Sequence, residues 1–279
     1  TVSGSPARLA GPPRVCWIWW RGDELPISCR ADDPRGVGAG AGSRDPVDEV
    51  RLTVLTANLP RHVALLDALG DAGHEVRAVI EPKSRRWGAS PVMQEYGQRV
   101  DTAELRVLWE RPLRRVSATI VTRGELWLDC VNWVWSEREI VFSSSYLTGT
   151  LVERLLARGA LNLHVGIAPE YRGSAPNMWA EYDKNPHLIG AQVQRLSRGL
   201  GAGEILAERY VPDCGYLDAD YFERGMLAVR RGIDALVRLL ATTEPWEPVR
   251  ANDRAKQIRY SKHADFTEKI AADILRRNP

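Results

Sequence analysis

From Arg51 onward, the pattern of apolar and polar residues predicts alternating strands and helices. Residues 51–57 (RLTVLTA) are rich in β-branched and aliphatic side chains, and residues 60–72 have apolar side chains at helical spacing. Gly73 follows at the position where a helix commonly ends in a left-handed residue, and EVRAVIE continues as a second strand. The order strand, helix, strand predicts a right-handed parallel βαβ unit.

A second βαβ unit is predicted farther along the chain. REIVFSSS has the composition of a buried strand, residues 147–157 that of an amphipathic helix, and GALNLHV that of another short strand. Beyond it, SAPNMWAEYD predicts a helix, GAQVQRLS and GEILAERYV predict two strands around a glycine-rich turn, and residues 218–240 predict a long helix with Asp218 as its N-cap. This order predicts an α/β fold, a mostly parallel, twisted Rossmann-like sheet with helices on both faces.

The chain divides by pattern into three parts. Residues 1–49 repeat Gly and Pro, include GVGAGAGS and keep no helical or strand period, so we expect a largely disordered leader. In such a leader Trp17, Trp19 and Trp20 would be exposed and would favour association between protein molecules. This suggests that the start of the sequence is mis-assigned and that translation begins at the codon of Val50. Residues 50–245 then form the main domain, and residues 246–279 are predicted to be a short, basic C-terminal docking tail.

Charge and cysteine content narrow the range of partners. The chain has 38 Lys and Arg against 36 Asp and Glu, a net charge of +2, so a nucleic-acid partner is not expected. The four cysteines show no C-x-x-C spacing, which predicts reduced structural thiols and no metal site. No apolar run approaches the roughly 20 residues of a bilayer span, and no secretory pattern begins the sequence, so we expect a cytoplasmic protein with no membrane partner.

The densest group of chemically active residues is NLHVGIAPEYRGSAPNMW, which begins at the carboxyl end of a predicted strand. Side chains two apart on a strand share a face, so Asn162 and His164 should project into one crevice. An amide can donate to a developing oxyanion, and an imidazole can relay a proton, which together suit acyl transfer. The alternative is that His164 is a hydrogen-bonded strand-end histidine and Asn162 a loop former.

The wider pattern resembles the folate-dependent formyltransferase family. The chain shows NLH, then a Pro followed by YRG, then a helix containing Trp, and then GAQV and GLGAGEIL, an order similar to the family's N-x-H-P-S-x-x-P-x-Y-R-G and its downstream glycine-containing block. RLTVLTANLPRH resembles the family's first strand and helix, and IVFSSSYLTG its folate-side loop. The resemblance covers roughly residues 50–240 and is closest to the small-molecule and amino-sugar N-formyltransferases.

The resemblance implies roles for particular residues. Asn162 would polarise the formyl carbonyl of 10-formyltetrahydrofolate, the donor substrate, and His164 would act as acid and base toward an amine, with no metal involved. The pterin pocket would be lined around Ser144, Ser145, Tyr146, Leu147 and Gly149. Tyr171, Arg172 and Gly173 match the loop that closes over the reacting groups, and the alternative for these three is a structural turn.

The chain departs from the family pattern at three positions. Gly201 stands where the family has its catalytic Asp, Val165 where Pro is common, and Gln194 where a strand histidine is expected. Because that carboxylate supports the histidine in the family, its loss should lower activity unless another group replaces it. Glu204 is the nearest local substitute, although it is more readily interpreted as a solvated turn charge, and Asp213 is a weaker candidate.

The expected acceptor is a primary amine of a small molecule. Formyltransferases of initiator tRNA carry a sizeable second domain, whereas only residues 246–279 follow the main domain here, which favours an amino sugar nucleotide or a biosynthetic amine. Two alternatives stay open: a catalytically weak or inactive pseudoenzyme, and acyl or formimidoyl transfer from another donor. His62, at the start of the first predicted helix, is either a phosphate contact or an ordinary surface residue. The sequence leaves the identity of the amine and the oligomeric state undetermined.

Overall fold

A computed structural model describes residues 16–17, 49–83, 87–108, 117–121, 136–211 and 219–279. Its strands are β1 (Cys16–Trp17), β2 (Arg51–Thr56), β3 (Glu75–Ile80), β4 (Ser117–Ile120), β5 (Arg138–Val141), β6 (Leu161–His164), β7 (Tyr171–Gly173), β8 (Gly190–Arg195), β9 (Ile205–Tyr210) and β10 (Arg259–Ser261). Its helices are α1 (Pro60–Asp71), α2 (Pro91–Leu108), α3 (Gly149–Ala157), α4 (Pro176–Tyr182), α5 (Tyr221–Leu240) and α6 (Glu268–Arg277).

Eight strands form one sheet in the order β1-β4-β3-β2-β5-β6-β8-β9. Neighbours from β4 to β6 run parallel, whereas β1, β8 and β9 pair antiparallel at the two sides. The predicted fold class is confirmed: the sheet is mostly parallel, and α1, α2 and α3 each connect two of its parallel strands. The carboxyl ends of β2, β3, β5 and β6 therefore meet at one edge, where a ligand site is expected.

Both faces of the sheet are covered by helices, as the apolar runs of its strands require. Leu52 and Val54 of β2 belong to the core on the face of α1 and α5. Leu55 of the same strand belongs to the core on the opposite face, together with Leu151 and Leu155 of α3. The alternation of side chains along a strand thus divides the buried apolar residues between two layers.

The long helix α5 begins slightly later than the sequence pattern predicts. It starts at Tyr221, and the side chain of Asp220 caps it by accepting a hydrogen bond of 2.8 Å from the Glu223 amide. The prediction that Asp218 is the N-cap is therefore wrong, because a second aspartate two residues on takes that position. Asp218 itself lies outside the described residues.

The C-terminal segment, predicted as a docking tail, lies against the main domain of the same chain. Trp246 is buried in the core beneath α5, and β10 pairs in parallel with β7. Ala271 and Ile274 of α6 are buried in the cluster that α2 and α5 also form. Residues 246–279 thus contribute both a strand and a helix to the packing around the sheet edge.

The predicted leader is described only at Cys16 and Trp17, whose two-residue strand pairs with β4. The remaining residues from 1 to 48 lie outside the described part of the chain, so three of the four cysteines do: Cys29, Cys130 and Cys214. Among the described helices, none has the length and apolar character needed to cross a membrane.

Candidate functional site

A cleft of about 1160 Å³ opens at the carboxyl edge of the parallel strands. One side, here called the loop wall, consists of residues 143–147 after β5 and residues 195–201 in the β8–β9 turn. The other side, the aromatic wall, consists of Trp87, Tyr96, Met178, Phe222, Met226 and Phe266. Asn162 and His164, at the end of β6, also line the cleft.

The structure brings Asn162 and His164 together on one face of β6. Leu161 and Leu163 alternate with them and are buried in the core, so the two polar side chains project the opposite way. Asn162 pairs across the sheet with Gln194. Among the hydrogen bonds of the described residues none involves the Asn162 amide, so its N–H groups are available in the cleft.

His164 is held in one tautomer and kept neutral by its surroundings. Burial lowers its pKa to about 4, a hydrogen bond to the Tyr171 backbone opposes this, and the Arg172 guanidinium lowers the pKa further. Nε2 is buried and has no hydrogen-bond partner in the described structure, so the interaction with the Tyr171 backbone falls to Nδ1. The Nε2 lone pair is therefore available to accept a proton.

Two glycines pack closely against this nitrogen. A Cβ atom at Gly166 would lie 3.2 Å from Nε2 of His164, and a Cβ at Gly201 would lie 3.1 Å from the same atom. Gly201 has a φ of +63°, in the left-handed region that favours glycine. Gly201, which the sequence resemblance matches to the family's Asp, thus lies directly beside the imidazole.

The turn that carries Gly201 is fixed by side chains from elsewhere in the chain. Asn252 donates from Nδ2 to the carbonyls of Gly201 and Gly203, at 3.1 and 2.7 Å. Arg172 donates from Nε to the Leu200 carbonyl at 3.2 Å. The backbone of the turn is therefore held against His164 from two directions.

Glu204 does not join the group around His164. Its carboxylate forms an ion pair of 3.1 Å with Arg195, its side chain is 59% exposed, and it is not among the residues that line the cleft. Asp213, the weaker candidate, lies outside the described residues. Within the described lining, Glu81 is the only carboxylate. It lies at the end of β3, where its Oε2 accepts a 2.9 Å hydrogen bond from the Ser145 amide.

The predicted substrate loop is mainly a structural support. The Tyr171 ring is buried, and its hydroxyl is hydrogen bonded to Asn185 and Asp183. Arg172 is buried behind the Gly201 turn, and Gly173 pairs with Ser261 of β10. Of the three residues, Gly173 lines the cleft.

Most of the predicted pterin-binding residues line the cleft. Ser144, Ser145, Tyr146 and Leu147 do so, whereas Gly149 begins α3 and does not. The Tyr146 hydroxyl donates to the Arg198 carbonyl at 3.0 Å, so this side chain links the two segments of the loop wall.

A buried polar network behind the site was missed by the sequence reasoning. Gln194 donates to Gln192 at 2.8 Å, and Gln192 makes two hydrogen bonds to the backbone of Ala168, in the loop after His164. Arg250 donates to the same Ala168 carbonyl at 2.6 Å and pairs with Glu170 and Glu208. The sequence signal for this network was the pair of glutamines, two residues apart on an otherwise apolar strand.

In the part of the chain that the structure describes, no cluster of acidic, His or Cys side chains is arranged to hold a metal ion.

Comparisons with known proteins agree with this geometry. No family model matches the chain. It is 26% identical over 147 residues to a methionyl-tRNA formyltransferase from Anaeromyxobacter dehalogenans, covering 53% of this chain and 45% of that protein. It is 26% identical over 186 residues to a methionyl-tRNA formyltransferase from Solibacter usitatus, covering 65% of this chain and 55% of that protein. The chain thus spans about half the length of these relatives.

Among solved structures, a 4-N formyltransferase from Francisella tularensis superposes with a TM-score of 0.51 at 13% identity, covering 77% of each chain. The chain therefore has the formyltransferase fold, and the resemblance seen in its sequence motifs is confirmed.

Proposed function

We propose that this chain transfers a formyl group from 10-formyltetrahydrofolate to a primary amine of a small molecule. The observation that carries the proposal is the unpartnered Nε2 of His164, placed beside the Asn162 amide in a cleft at the carboxyl ends of parallel strands. An oxyanion donor next to a neutral base is the arrangement that acyl transfer to an amine requires.

Each of the two side chains has a separate task in the reaction. The amine nitrogen attacks the formyl carbon, and the Asn162 amide donates a hydrogen bond to the oxygen as negative charge develops there. Nε2 of His164 takes the proton that the nitrogen loses, while Nδ1 keeps its interaction with the Tyr171 backbone. The bond from carbon to N10 of the folate then breaks, and the proton passes to N10, so the imidazole is neutral again.

The loop wall is proposed to hold the donor. Residues 143–147 line the cleft, and the Ser145 amide among them donates to Glu81, the one carboxylate of the described lining. A pterin ring carries alternating donors and acceptors along its edge, which such a strip can match. The cleft volume of about 1160 Å³ exceeds that of a typical pocket for one small ligand, so donor and small acceptor can be present together.

The lack of a carboxylate at Gly201 argues for slow turnover. When His164 takes the proton, the imidazolium forms in a buried place beside the positive Arg172, with no opposing charge from the turn. The same observation favours a second candidate function, a folate-binding pseudoenzyme without turnover. Transfer of a formimidoyl or other acyl group from a different donor is a third, since such a donor would not require the missing carboxylate.

The experiment is an assay with 10-formyltetrahydrofolate and a panel of amines, with mass-spectrometric detection of the N-formyl products. Loss of product in both His164→Ala and Asn162→Ala, with product retained in His187→Ala, would support the proposal. His187 is a matched control because it is an exposed histidine outside the cleft. Tight folate binding with no product from any amine would support the pseudoenzyme, and product from another donor alone would support the third candidate.

A further inference from the structure

The amino end of α1 opens toward the cleft, at the position where a helix in this type of sheet normally attracts an anion. Arg61, in the first turn of α1, lines the cleft, and it would be the natural partner of an acceptor's phosphate. Whether an acceptor phosphate can bind at the amino end of α1 therefore depends on whether the hydrogen-bond donors of that end already have partners.

The first turn of α1 is already satisfied by the protein itself. Pro60 has no N–H, the Arg61 amide donates to Glu104 at 2.8 Å, and the His62 amide donates to the Leu59 carbonyl at 2.9 Å. The Leu59 amide in turn donates to Nδ1 of His62 at 3.0 Å. His62 is buried, so its interpretation as a surface residue is wrong, and it is not among the residues that line the cleft.

Glu104 occupies the place of an external anion. Its side chain is fully buried and accepts two hydrogen bonds from the Arg61 guanidinium, at 2.9 and 3.0 Å, besides the bond from the Arg61 amide. A buried carboxylate with three such donors neutralises both the guanidinium and the helix terminus. A phosphate placed here would lie against a negative charge that cannot move into solvent.

The wall beyond this helix end is mainly aromatic, with Lys262 and His263 also in the cleft lining. The Tyr96 ring lies 5.0 Å from Phe266, 5.4 Å from Phe222 and 5.9 Å from Trp87, measured between ring centroids. Its hydroxyl is hydrogen bonded to that of Tyr221 at 3.1 Å, and burial raises its pKa to about 12, so it stays neutral. Phe266 and Trp87 are only partly buried and present their remaining ring surface to the cleft.

We propose that the acceptor is a primary amine on an apolar, aromatic body, which packs on the aromatic wall and carries no phosphate at the α1 end. This inference rests on the proposed function, because it assigns the loop wall to the donor and the aromatic wall to the acceptor. Apolar surface removed from water on that wall supplies the binding free energy, and the amine is left pointing toward Asn162 and His164.

The test measures binding by calorimetry without any folate, using 2-phenylethylamine and phosphoethanolamine as probes. Wild type should bind 2-phenylethylamine at least tenfold more tightly than phosphoethanolamine. Phe266→Ala should weaken 2-phenylethylamine about tenfold, Phe266→Met should retain it, and Leu105→Ala should leave it unchanged. Leu105 is the matched control because it is a half-exposed apolar residue of α2 outside the cleft lining.

Glu104→Gln provides the reverse test. It removes the buried negative charge but keeps an oxygen for the Arg61 amide, so phosphoethanolamine should bind at least tenfold more tightly than to wild type. Wild-type preference for phosphoethanolamine, or no saturable binding of 2-phenylethylamine, would overturn the inference. Because no donor is present, binding of 2-phenylethylamine without later formyl transfer would count against the proposed function alone. Formyl transfer to phosphorylated amines alone would count against this inference alone.

Discussion

Replacing Gly201 with Asp should restore a carboxylate beside His164. A Cβ at this position lies 3.1 Å from Nε2, so the carboxylate reaches the imidazole at about 4 Å, where opposite charges in an effective dielectric of 20 attract by about 4 kcal/mol. That energy corresponds to about three pKa units. The pKa of His164, held at about 4 by burial, should therefore rise toward neutrality, and formyl transfer should become at least ten times faster in kcat/KM.

The same substitution has a structural cost that can be separated from the charge. The φ of +63° costs a non-glycine residue about 1 kcal/mol, and the 3.1 Å contact requires the turn to shift by a few tenths of an ångström. Melting should fall by about 2–4 °C for each kcal/mol lost. Gly201→Asn has the same size and a similar tolerance of this φ but no charge, so it measures the structural cost alone.

The assay combines NMR titration of the His164 ring with kcat/KM for formyl transfer in wild type, Gly201→Asp and Gly201→Asn. The expected result is a raised pKa and faster transfer in the Asp variant only. Equal rates in the Asp and Asn variants, or an unchanged His164 pKa with Asp present, would refute the electrostatic reasoning.

Three further outcomes are expected. Because the pKa of His164 is lowered from 6.5 to about 4 in the folded state, the free energy of unfolding should fall by about 3 kcal/mol as the pH drops from 6.5 to 4. In His164→Gln, denaturant titrations should show about 3 kcal/mol less loss over the same pH range. An unchanged pH profile would contradict the assignment. Arg250→Met leaves two carboxylates facing each other and should cost about 3 kcal/mol or more, against less than about 0.5 kcal/mol for exposed Arg254→Met, measured by urea unfolding. Tyr146→Phe should weaken folate binding about threefold with melting unchanged, and full retention of affinity would show that its link to the Arg198 carbonyl does not shape the pocket.

The local pattern was sufficient to predict the sheet and the central pair of residues. Strands with continuous apolar runs and helices with one apolar face specify two core layers, and the period of two along β6 places Asn162 and His164 on one face. The glycine-rich turn after β8 was likewise predicted, and it places Gly201 beside His164. These features depend on neighbours within a few residues or on adjacent strands.

The features that the sequence did not reveal depend on contacts between distant segments. Glu104 meets the first turn of α1 from α2, and Arg250 reaches the loop after His164 from the C-terminal segment. No periodicity links such positions, so a buried carboxylate on α2 appeared as an ordinary polar residue. Glu204 was considered as a substitute because it is close in sequence to Gly201, but the turn directs its side chain to Arg195 at the surface.

The most direct test of the central claim follows the formyl carbon itself. Purified chain is incubated with 10-formyltetrahydrofolate labelled with ¹³C in the formyl group and with an excess of 2-phenylethylamine, and the label is located by NMR. The labelled carbon should appear as a formamide on the amine nitrogen. His164→Ala should abolish this transfer, and His187→Ala should preserve its rate. Label that stays on the folate, is released as formate, or reaches the amine equally fast in His164→Ala would contradict the proposed function.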